Sequence, residues 1–371
     1  MHMADALVSP VVGGAMFVAS AGVAAYSIKK IKENEDSSLL PTMGVMGAFV
    51  FAAQMINFSI PGTGSSGHLC GGMMLSAVLG PYAAFLTMIG VLLIQCLLFA
   101  DGGILALGCN IWNMAFYACF VGGLLIWKCM MRKEMTKKRI VVASMLGSVI
   151  SLQLGAFSVV LETCASSVSE LPFKIFVSTM QPIHLAIGLV EGAITAAVLV
   201  FVYQVRPQML WIGEKDTNSC SESKKKVFVV VIIAAAVLAG GVSLLASSNP
   251  DGLEWSIAKI VSEDTSKEQE TNVSGQKQVE TLEEGMDATK IKDVEEGTDA
   301  IAIKDIKERI DTHKIAIFPE YDFRNETMQG KLSGTSTSGM VGAAVVVGFF
   351  FLLGMLVKSI KKAKVKSRYN N

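Results

Sequence analysis

Two histidines near the start of the chain are the side chains best suited to bind a metal. The chain has four histidines, and His2 directly follows the amino group of Met1. A free amine, the amide nitrogen of residue 2 and the Nδ1 of an imidazole at that position can form fused five- and six-membered chelate rings. A second imidazole, such as that of His68, would complete a plane of four nitrogens, which suits Ni²⁺ or Cu²⁺, and imidazole also suits Co and Zn. Two histidines are a weak signal, so residue types alone leave open that both are ordinary hydrogen-bonding residues.

The chelate requires the amino group of Met1 to persist. The segment Met1–Pro10 has no basic residue and contains Asp5, so no cleaved signal peptide is expected. Because histidine is a bulky second residue, removal of Met1 is also expected to be poor. We therefore predict that the mature chain starts at Met1.

His68 lies in a glycine-rich stretch, residues 61–72, between two apolar segments. In a membrane protein, irregular backbone at membrane depth is tolerated only where it is buried in protein or lines a cavity. An ionisable residue in such a place is a functional candidate. The glycines are expected to let the backbone fold inward and bring His68 to the site.

The composition predicts an all-α polytopic membrane protein. Hydrophobic residues make up 51% of the 371 residues and charged residues 17%, whereas soluble domains carry about 25% charge. Several apolar windows are long enough to cross a hydrocarbon core of about 30 Å. We expect a multi-pass protein of the plasma membrane, in contact with lipid and not with nucleic acid.

Clusters of basic residues predict the orientation, because positive charge stays cytoplasmic. The first apolar segment ends in such a cluster, Lys29–Lys32, which places the N-terminus outside. The run Leu69–Ala100 is too long for one span, so a break before Pro81 is predicted, with a short helix Leu69–Gly80 and a full helix Pro81–Ala100. This gives about seven spans in the first domain and an external excursion over Glu162–Met180. The other predicted spans are about Val8–Ile28, Leu40–Phe58, Ile104–Trp127, Ile140–Leu161 and Pro182–Tyr203.

A second module is predicted after the first domain, residues 1–205. Residues 206–226 form a cytoplasmic linker, and residues 227–357 contain two spans, about Val227–Leu245 and Met340–Val357. Between these spans lies an external acidic segment, 248–338, with a twelve-residue repeat at 283–294 and 295–306 that is interpreted as solvated linker. The tail 358–371 is basic and predicted to be cytoplasmic.

Four separate motifs resemble the CbiM/NikM family, the substrate-binding (S) membrane subunits of cobalt and nickel energy-coupling-factor (ECF) ABC transporters. In addition, the segment Pro250–Trp255 is similar to the small CbiN/NikN-like (PDGLE) partner subunit of the same systems, here fused at the C-terminal side. The four motifs are Met1–Leu7, Gly62–His68, Asp101–Asn110 with Asn113, and His184–Glu191.

The resemblance implies that Met1, His2 and His68 bind the metal on the external side, with Co²⁺ or Ni²⁺ as the transported substrate. Both ions stay open, the former being linked to cobalamin biosynthesis. For Asp101, Asn110 and Asn113 it implies that they orient the histidines and the covering loops. The alternative for these three is ordinary hydrogen bonding at buried helix ends.

Four further polar residues allow alternative roles. Cys70 departs from the family pattern, and a thiolate there would favour softer metals. A buried or supporting thiol is favoured instead, because the nitrogen set is already complete. His184 and Glu191 share one helix face, and packing with hydrogen bonding is favoured over a proton relay or transit site. Glu162 is expected to be solvated at the membrane interface.

The sequence argues against an enzyme or an ATPase. Gly62–Gly67 has the spacing of a phosphate-binding loop, but His68 stands where lysine must be, so no ATP is expected to bind this chain. Neither a nucleophile–base pair nor an HExxH motif appears. Energy is therefore expected from partners, a transmembrane coupling subunit and ATP-binding ABC subunits. The alternative is a self-sufficient secondary transporter or channel for a divalent metal, which predicts inverted repeats and charges at mid-membrane.

Overall fold

The computed structural model describes residues 2–33, 39–169, 171–212, 221–262, 316–321, 323 and 334–369. Met1 and the acidic repeat at 283–306 lie outside the described residues, as does most of the predicted external segment.

Helices make up most of the described chain. Six of them are long and apolar enough to cross a membrane, and two shorter apolar helices accompany them, Leu39–Gln54 and Val229–Leu245. The prediction of an all-α polytopic membrane protein is confirmed, and the predicted count of about seven plus two spans is roughly consistent with this set. The helices are α1 (Pro10–Lys32), α2 (Leu39–Gln54), α3 (Gly72–Leu79), α4 (Pro81–Phe99), α5 (Leu107–Met131), α6 (Lys137–Ser166), α7 (Phe173–Val205), α8 (Ser221–Gly240), α9 (residues 252–262) and α10 (Gly334–Tyr369).

The predicted break before Pro81 is confirmed. Helix α3 ends at Leu79 and α4 begins at Pro81, with Gly80 between them. The Gly80 amide bonds the Ser76 carbonyl at 3.0 Å and closes α3, while the Gly80 carbonyl accepts the first bond of α4 from Ala84 at 3.0 Å. The long apolar run is thus divided into the short α3 and the full-length α4.

The predicted external excursion over 162–180 is wrong. Helix α6 continues to Ser166, and α7 begins at Phe173 with Pro182 in its interior. Proline is tolerated inside a membrane helix where neighbouring helices bond the backbone. Here Gln153 Nε2 donates to the Gln181 carbonyl at 3.0 Å, and Gln181 Nε2 donates to the Gln153 carbonyl at 3.3 Å. This reciprocal pair joins α6 and α7 beside Pro182.

Helices α8 and α10 of the second module pack against the first domain. Both contact α2, and α10 also contacts α4. Val346 and Phe350 of α10 are buried in this contact. Ser336 Oγ donates to the Gly240 carbonyl at 3.0 Å and joins α10 to α8.

A short hairpin precedes His68. Strand β1 (Phe58–Ile60) pairs antiparallel with β2 (Ser65–Gly67), with Ser59 opposite Ser66. The second module adds an extended segment to its edge, because the Ser66 amide donates to the Pro250 carbonyl at 2.8 Å and Ser66 Oγ donates to the Asn249 carbonyl at 2.7 Å. The hairpin therefore couples the two modules next to His68.

The segment that follows Pro250 begins α9 with a capping box. The carboxylate of Asp251 accepts hydrogen bonds from the amides of Leu253 and Glu254, each at 2.9 Å, and Glu254 Oε2 accepts one from the Asp251 amide at 3.3 Å. These reciprocal bonds satisfy amides of the first helical turn. They fix the direction in which α9 leaves the hairpin.

Replacing Gly71 by alanine should destabilise the loop after His68. Gly71 has φ +75°, and a Cβ there would lie 2.5 Å from Val50 Cγ1. Alanine is strained at positive φ by more than about 1 kcal/mol, and a β-branched valine moves aside poorly. We expect the thermal midpoint of the purified protein to fall by at least about 3 °C.

Gly62→Ala is the matched control, because Gly62 has φ +77° with nothing within 4 Å of the added Cβ. The thermal midpoint of Gly62→Ala should fall only by the amount that is due to backbone strain at positive φ. Equal losses in the two variants would contradict the packing argument.

Candidate metal-binding site

His2 and His68 lie against each other although distant in the sequence. Their rings are stacked, with centroids 5.4 Å apart and planes inclined by 15°. The structure thus brings together the two predicted histidines, and the third predicted ligand residue, Met1, lies outside the described residues.

Asp101 holds the ring of His2. It directly follows α4, which ends at Phe99, and its Oδ1 lies 3.0 Å from His2 Nδ1. Its other oxygen, Oδ2, accepts a hydrogen bond from the Tyr321 hydroxyl at 2.5 Å. Burial alone would raise the pKa of Asp101, but His2 and the hydrogen bonds from His2 and Tyr321 lower it to about 2. Asp101 is therefore an ionised acceptor at neutral pH.

An ionised acceptor at one ring nitrogen of His2 places a proton on that nitrogen and fixes the orientation of the ring. The opposite nitrogen is Nε2, which is buried and has no hydrogen-bond partner among the described residues. The chelate with the residue-2 amide requires Nδ1 instead. A half-turn of the ring about the Cβ–Cγ bond moves Nδ1 to the place of Cδ2, away from Asp101, and moves Nε2 to the place of Cε1, on the side of Asp101.

Asn110, in the first turn of α5, fixes the backbone next to His2. The Met3 amide donates to Asn110 Oδ1 at 2.7 Å, and Asn110 Nδ2 donates to the Met3 carbonyl at 3.1 Å. The Gly103 amide bonds the same carbonyl at 3.2 Å. Gly102 has φ +80°, and a Cβ there would lie 2.6 Å from Asn110 Nδ2, so this close approach needs glycine. The backbone of Met3 is thus fixed inside the protein.

The side chain of Asn113 contacts both Met3 and Glu162. Asn113 Nδ2 donates to Glu162 Oε2 at 2.6 Å and lies 3.6 Å from the Met3 sulfur. The expectation that Glu162 is solvated at the interface is wrong, because Glu162 is buried within α6. Helix α6 continues past its predicted end at Leu161, so the hydrogen-bond partner of Glu162 is Asn113 rather than water.

Glu191 of α7 supports the loop that carries His68. Its two carboxylate oxygens accept the amides of Cys70 and Gly71 at 2.9 and 3.1 Å. The Cys70 carbonyl accepts a bond from Gln54 Nε2 at 2.8 Å, and Gln95 Nε2 in turn bonds Gln54 Oε1 at 2.9 Å. These contacts agree with the interpretation of Glu191 as a hydrogen-bonding residue. They connect the loop to three helices.

His68 is a neutral imidazole in this environment. Burial, followed by the positive charges of the amino terminus and His2, lowers the pKa of His68 to about 4. Its Nδ1 bonds the Leu69 carbonyl at 3.1 Å, which puts the proton on Nδ1 and the lone pair on Nε2. A neutral imidazole is the form that binds metals.

A small cavity lies beside His68. His184 faces it, with Nδ1 bonded to the Met180 carbonyl at 2.8 Å and a buried Nε2 that has no partner in the described part of the chain. Burial raises the pKa of the Cys70 thiol well above its ordinary value, so Cys70 stays a thiol. The cavity is lined by Gly67, His68, Cys70, Leu152, His184, Ile187, Asp251 and Gly252.

Sequence reasoning missed Asp251 and Tyr321 as residues near the site. Burial would raise the pKa of Asp251, but the positive charge of the amino terminus outweighs burial and holds that pKa well below its ordinary value. Asp251 belongs to the motif Pro250–Trp255, whose resemblance implies no role at the metal site, and no sequence signal singles out Tyr321. Within the described residues, no group of three or more His, Cys, Asp or Glu side chains is spaced to hold a metal ion.

Replacing Glu191 by glutamine should loosen the His68 loop. The amide offers one oxygen where the carboxylate offers two, so either Cys70 or Gly71 loses its acceptor. Hydrogen exchange in a peptide covering residues 68–72 should accelerate about tenfold, since such a bond contributes about 1.5 kcal/mol.

Glu162→Gln serves as the control, because Glu162 contacts Asn113 and not the loop. It should leave exchange in residues 68–72 unchanged. Unchanged exchange in Glu191→Gln would show that other contacts hold the loop.

Two family models match the chain. Residues 2–209 match CbiM, described as a cobalt uptake substrate-specific transmembrane region. Residues 225–288 match the PDGLE domain.

The chain is also similar to nickel transport proteins and to a solved structure of a transporter. The chain is 37% identical over 210 residues to the fused nickel transport protein NikMN of Archaeoglobus fulgidus, covering 57% of this chain and 68% of that protein. It is 33% identical over 221 residues to the fused nickel transport protein LarMN of Lactiplantibacillus plantarum, covering 57% and 67%. A crystal structure of a truncated transition metal transporter is 31% identical and matches with a TM-score of 0.49, covering 55% of this chain and 99% of that one.

The CbiM match covers more than half of the chain, and the family consists of metal transporters rather than enzymes. The chain therefore belongs to the CbiM/NikM family of cobalt and nickel transport membrane proteins, fused to a CbiN-like PDGLE part.

Proposed function

We propose that this chain is the substrate-capture membrane subunit of an ECF-type importer for Ni²⁺ or Co²⁺. The ion would bind on the external side through the Met1 amine, the amide nitrogen and imidazole of His2, and the imidazole of His68. The observation that carries this proposal is the stacked His2–His68 pair. Each ring has one nitrogen at a fixed acceptor, which is Asp101 for His2 and the Leu69 carbonyl for His68.

The surroundings of the two rings support a nitrogen-only site. A buried Cys70 thiol is a poor ligand beside four nitrogens, while neutral imidazoles need no proton release. The carboxylate of Asp101 increases the basicity of the His2 ring it holds, as carboxylates do behind metal-bound histidines. Asn110 and Asn113 support the site indirectly: Asn110 bonds the backbone of Met3, and Asn113 contacts the Met3 side chain.

The positions of charge along the helices support an external site. His2 precedes α1, Asp101 follows α4, and Asn110 lies in the first turn of α5. Basic residues occupy the last turn of α1, Lys29–Lys32, and Lys128 begins the last turns of α5. Since basic residues stay cytoplasmic, the opposite ends of these helices face outward, and the C-terminal tail at 358–371 is cytoplasmic.

The proposed domains are assigned to the external and cytoplasmic sides in the same way. Residues 1–205 form the metal-binding domain, 206–226 a cytoplasmic linker, and 227–357 a CbiN-like module whose segment 248–338 is external. The contact of Ser66 with Asn249 and Pro250 supports this module's place on the external side, next to His68.

Energy for import would come from a coupling subunit and ATP-binding subunits, because His68 replaces the lysine that a phosphate-binding loop needs. A secondary transporter is the rival function. It would use intramembrane carboxylates as proton sites, but Glu162 and Glu191 instead bond Asn113 and the amides of the His68 loop. This use of the two carboxylates favours the capture subunit.

Two residues added ahead of Met1 should abolish metal binding. The extension converts the amine into an amide and moves it away from His2, so the chelate rings cannot form. We expect the affinity for Ni²⁺, measured by calorimetry on purified protein, to fall at least about a hundredfold, which is about 2.7 kcal/mol.

The same two residues added after Asn371 are the control and should leave the affinity unchanged. His68→Ala should weaken binding without changing expression. Normal Ni²⁺ binding by the N-terminally extended protein would sink the proposed site.

Uptake in cells should depend on the partner subunits. Cells that express this chain with its coupling and ATP-binding subunits should accumulate radioactive Ni²⁺ or Co²⁺, and cells that express the chain alone should not. Accumulation by the chain alone that stops when an ionophore collapses the proton gradient would favour the secondary transporter.

A further inference from the structure

Tyr321 reaches the site from a segment 220 residues beyond Asp101. We propose that Tyr321 is a positioning residue of the metal site, whose hydroxyl fixes the carboxylate of Asp101 so that the other oxygen holds His2. This inference rests on the proposed function, since it assigns a role within the same site. It gives the second module a direct part in preparing His2.

The segment around Tyr321 is bound to the end of α4 by its backbone and its rings. The Phe318 amide donates to the Leu98 carbonyl at 3.0 Å, and the Tyr321 amide donates to the Phe318 carbonyl at 3.1 Å across a short 3-10 turn. The Tyr321 ring stacks on Phe99 with centroids 4.8 Å apart and planes inclined by 19°. These contacts leave the hydroxyl pointing at Asp101.

The backbone of Tyr321 is strained. Its φ is +61°, in the left-handed region that residues with a Cβ seldom adopt. Such conformations persist only where the surroundings hold them, and they cluster at functional sites. Here the stacking on the buried Phe99 and the bond to Asp101 hold it.

The two oxygens of Asp101 have separate partners. Oδ2 accepts from Tyr321 at 2.5 Å, and Oδ1 lies 3.0 Å from His2 Nδ1. A hydrogen bond to an ionised carboxylate is short and strong, so the Tyr321 hydroxyl stops the carboxylate from rotating away from the imidazole. A ring with one nitrogen bound in this way presents the other nitrogen to the metal in a defined direction.

The variant Tyr321→Phe tests this role, because it removes the hydroxyl and keeps the ring on Phe99. We expect the Ni²⁺ affinity of the full-length protein in lipid nanodiscs to fall about tenfold, as is usual for groups that orient metal ligands. The matched control is Tyr203→Phe, since the Tyr203 hydroxyl bonds the Met135 carbonyl at 2.8 Å, away from the site. It should bind Ni²⁺ as the wild type does.

A double-mutant cycle separates positioning from packing. If Tyr321 acts through Asp101, then adding Tyr321→Phe to Asp101→Ala should cause no further loss of Ni²⁺ affinity. The same tenfold loss in both backgrounds would overturn the proposal, because it would mean that Tyr321 supports the site independently of Asp101.

A metal-free readout makes the test independent of the proposed function. In protein with ¹⁵N-labelled histidine rings, Tyr321→Phe should shift the His2 ring nitrogens in the same direction as Asp101→Ala, and Tyr203→Phe should not. Unchanged His2 signals in Tyr321→Phe would overturn the positioning role, even if His68→Ala abolishes Ni²⁺ binding. If His68→Ala binds Ni²⁺ normally, the proposed site fails, while shifted His2 signals would still support the contact of Tyr321 through Asp101.

Discussion

Asn110 binds both the amide and the carbonyl of Met3, and this pair of hydrogen bonds fixes the start of the chain inside the protein. Chain termini are usually poorly ordered unless something ties them down. A site made from the first two residues therefore depends on this contact, because an amine on a mobile terminus would have to be ordered again for each ion. Met3 is fully buried, so its side chain adds packing to the bonds. With Met3 in place, His2 lies next to Asp101.

The part of the site that contains His68 is held by a separate set of contacts. The His68 loop follows a short hairpin, and Glu191 accepts two of its amides. The end of α4 provides Asp101, and the start of α5 provides Asn110. His2 and His68 thus each have their own rigid support, which is the arrangement that the proposed metal geometry needs. The second module contacts both halves, since Pro250 bonds Ser66 and Tyr321 bonds Asp101.

The membrane class and the break at Pro81 could be predicted from the sequence, because composition and the positions of basic residues are local signals. His2, His68 and Asp101 could be singled out as well, through residue types and motifs, although their contacts could not. The start of α7 at Phe173 could not be predicted, because proline favours the first turn of a helix, whereas Pro182 lies inside α7. The contacts of Glu191 and Tyr321 were missed because they join residues more than a hundred positions apart, and no periodicity records such pairs.

The central claim is that the ion is held by four nitrogens of this chain's first residues and His68. X-ray absorption at the nickel edge of Ni²⁺-loaded protein measures the first coordination shell most directly. The account predicts four nitrogens in a plane, with the scattering of two imidazole rings and no sulfur. A six-coordinate shell rich in oxygen, or a shell that contains the sulfur of Cys70, would contradict it.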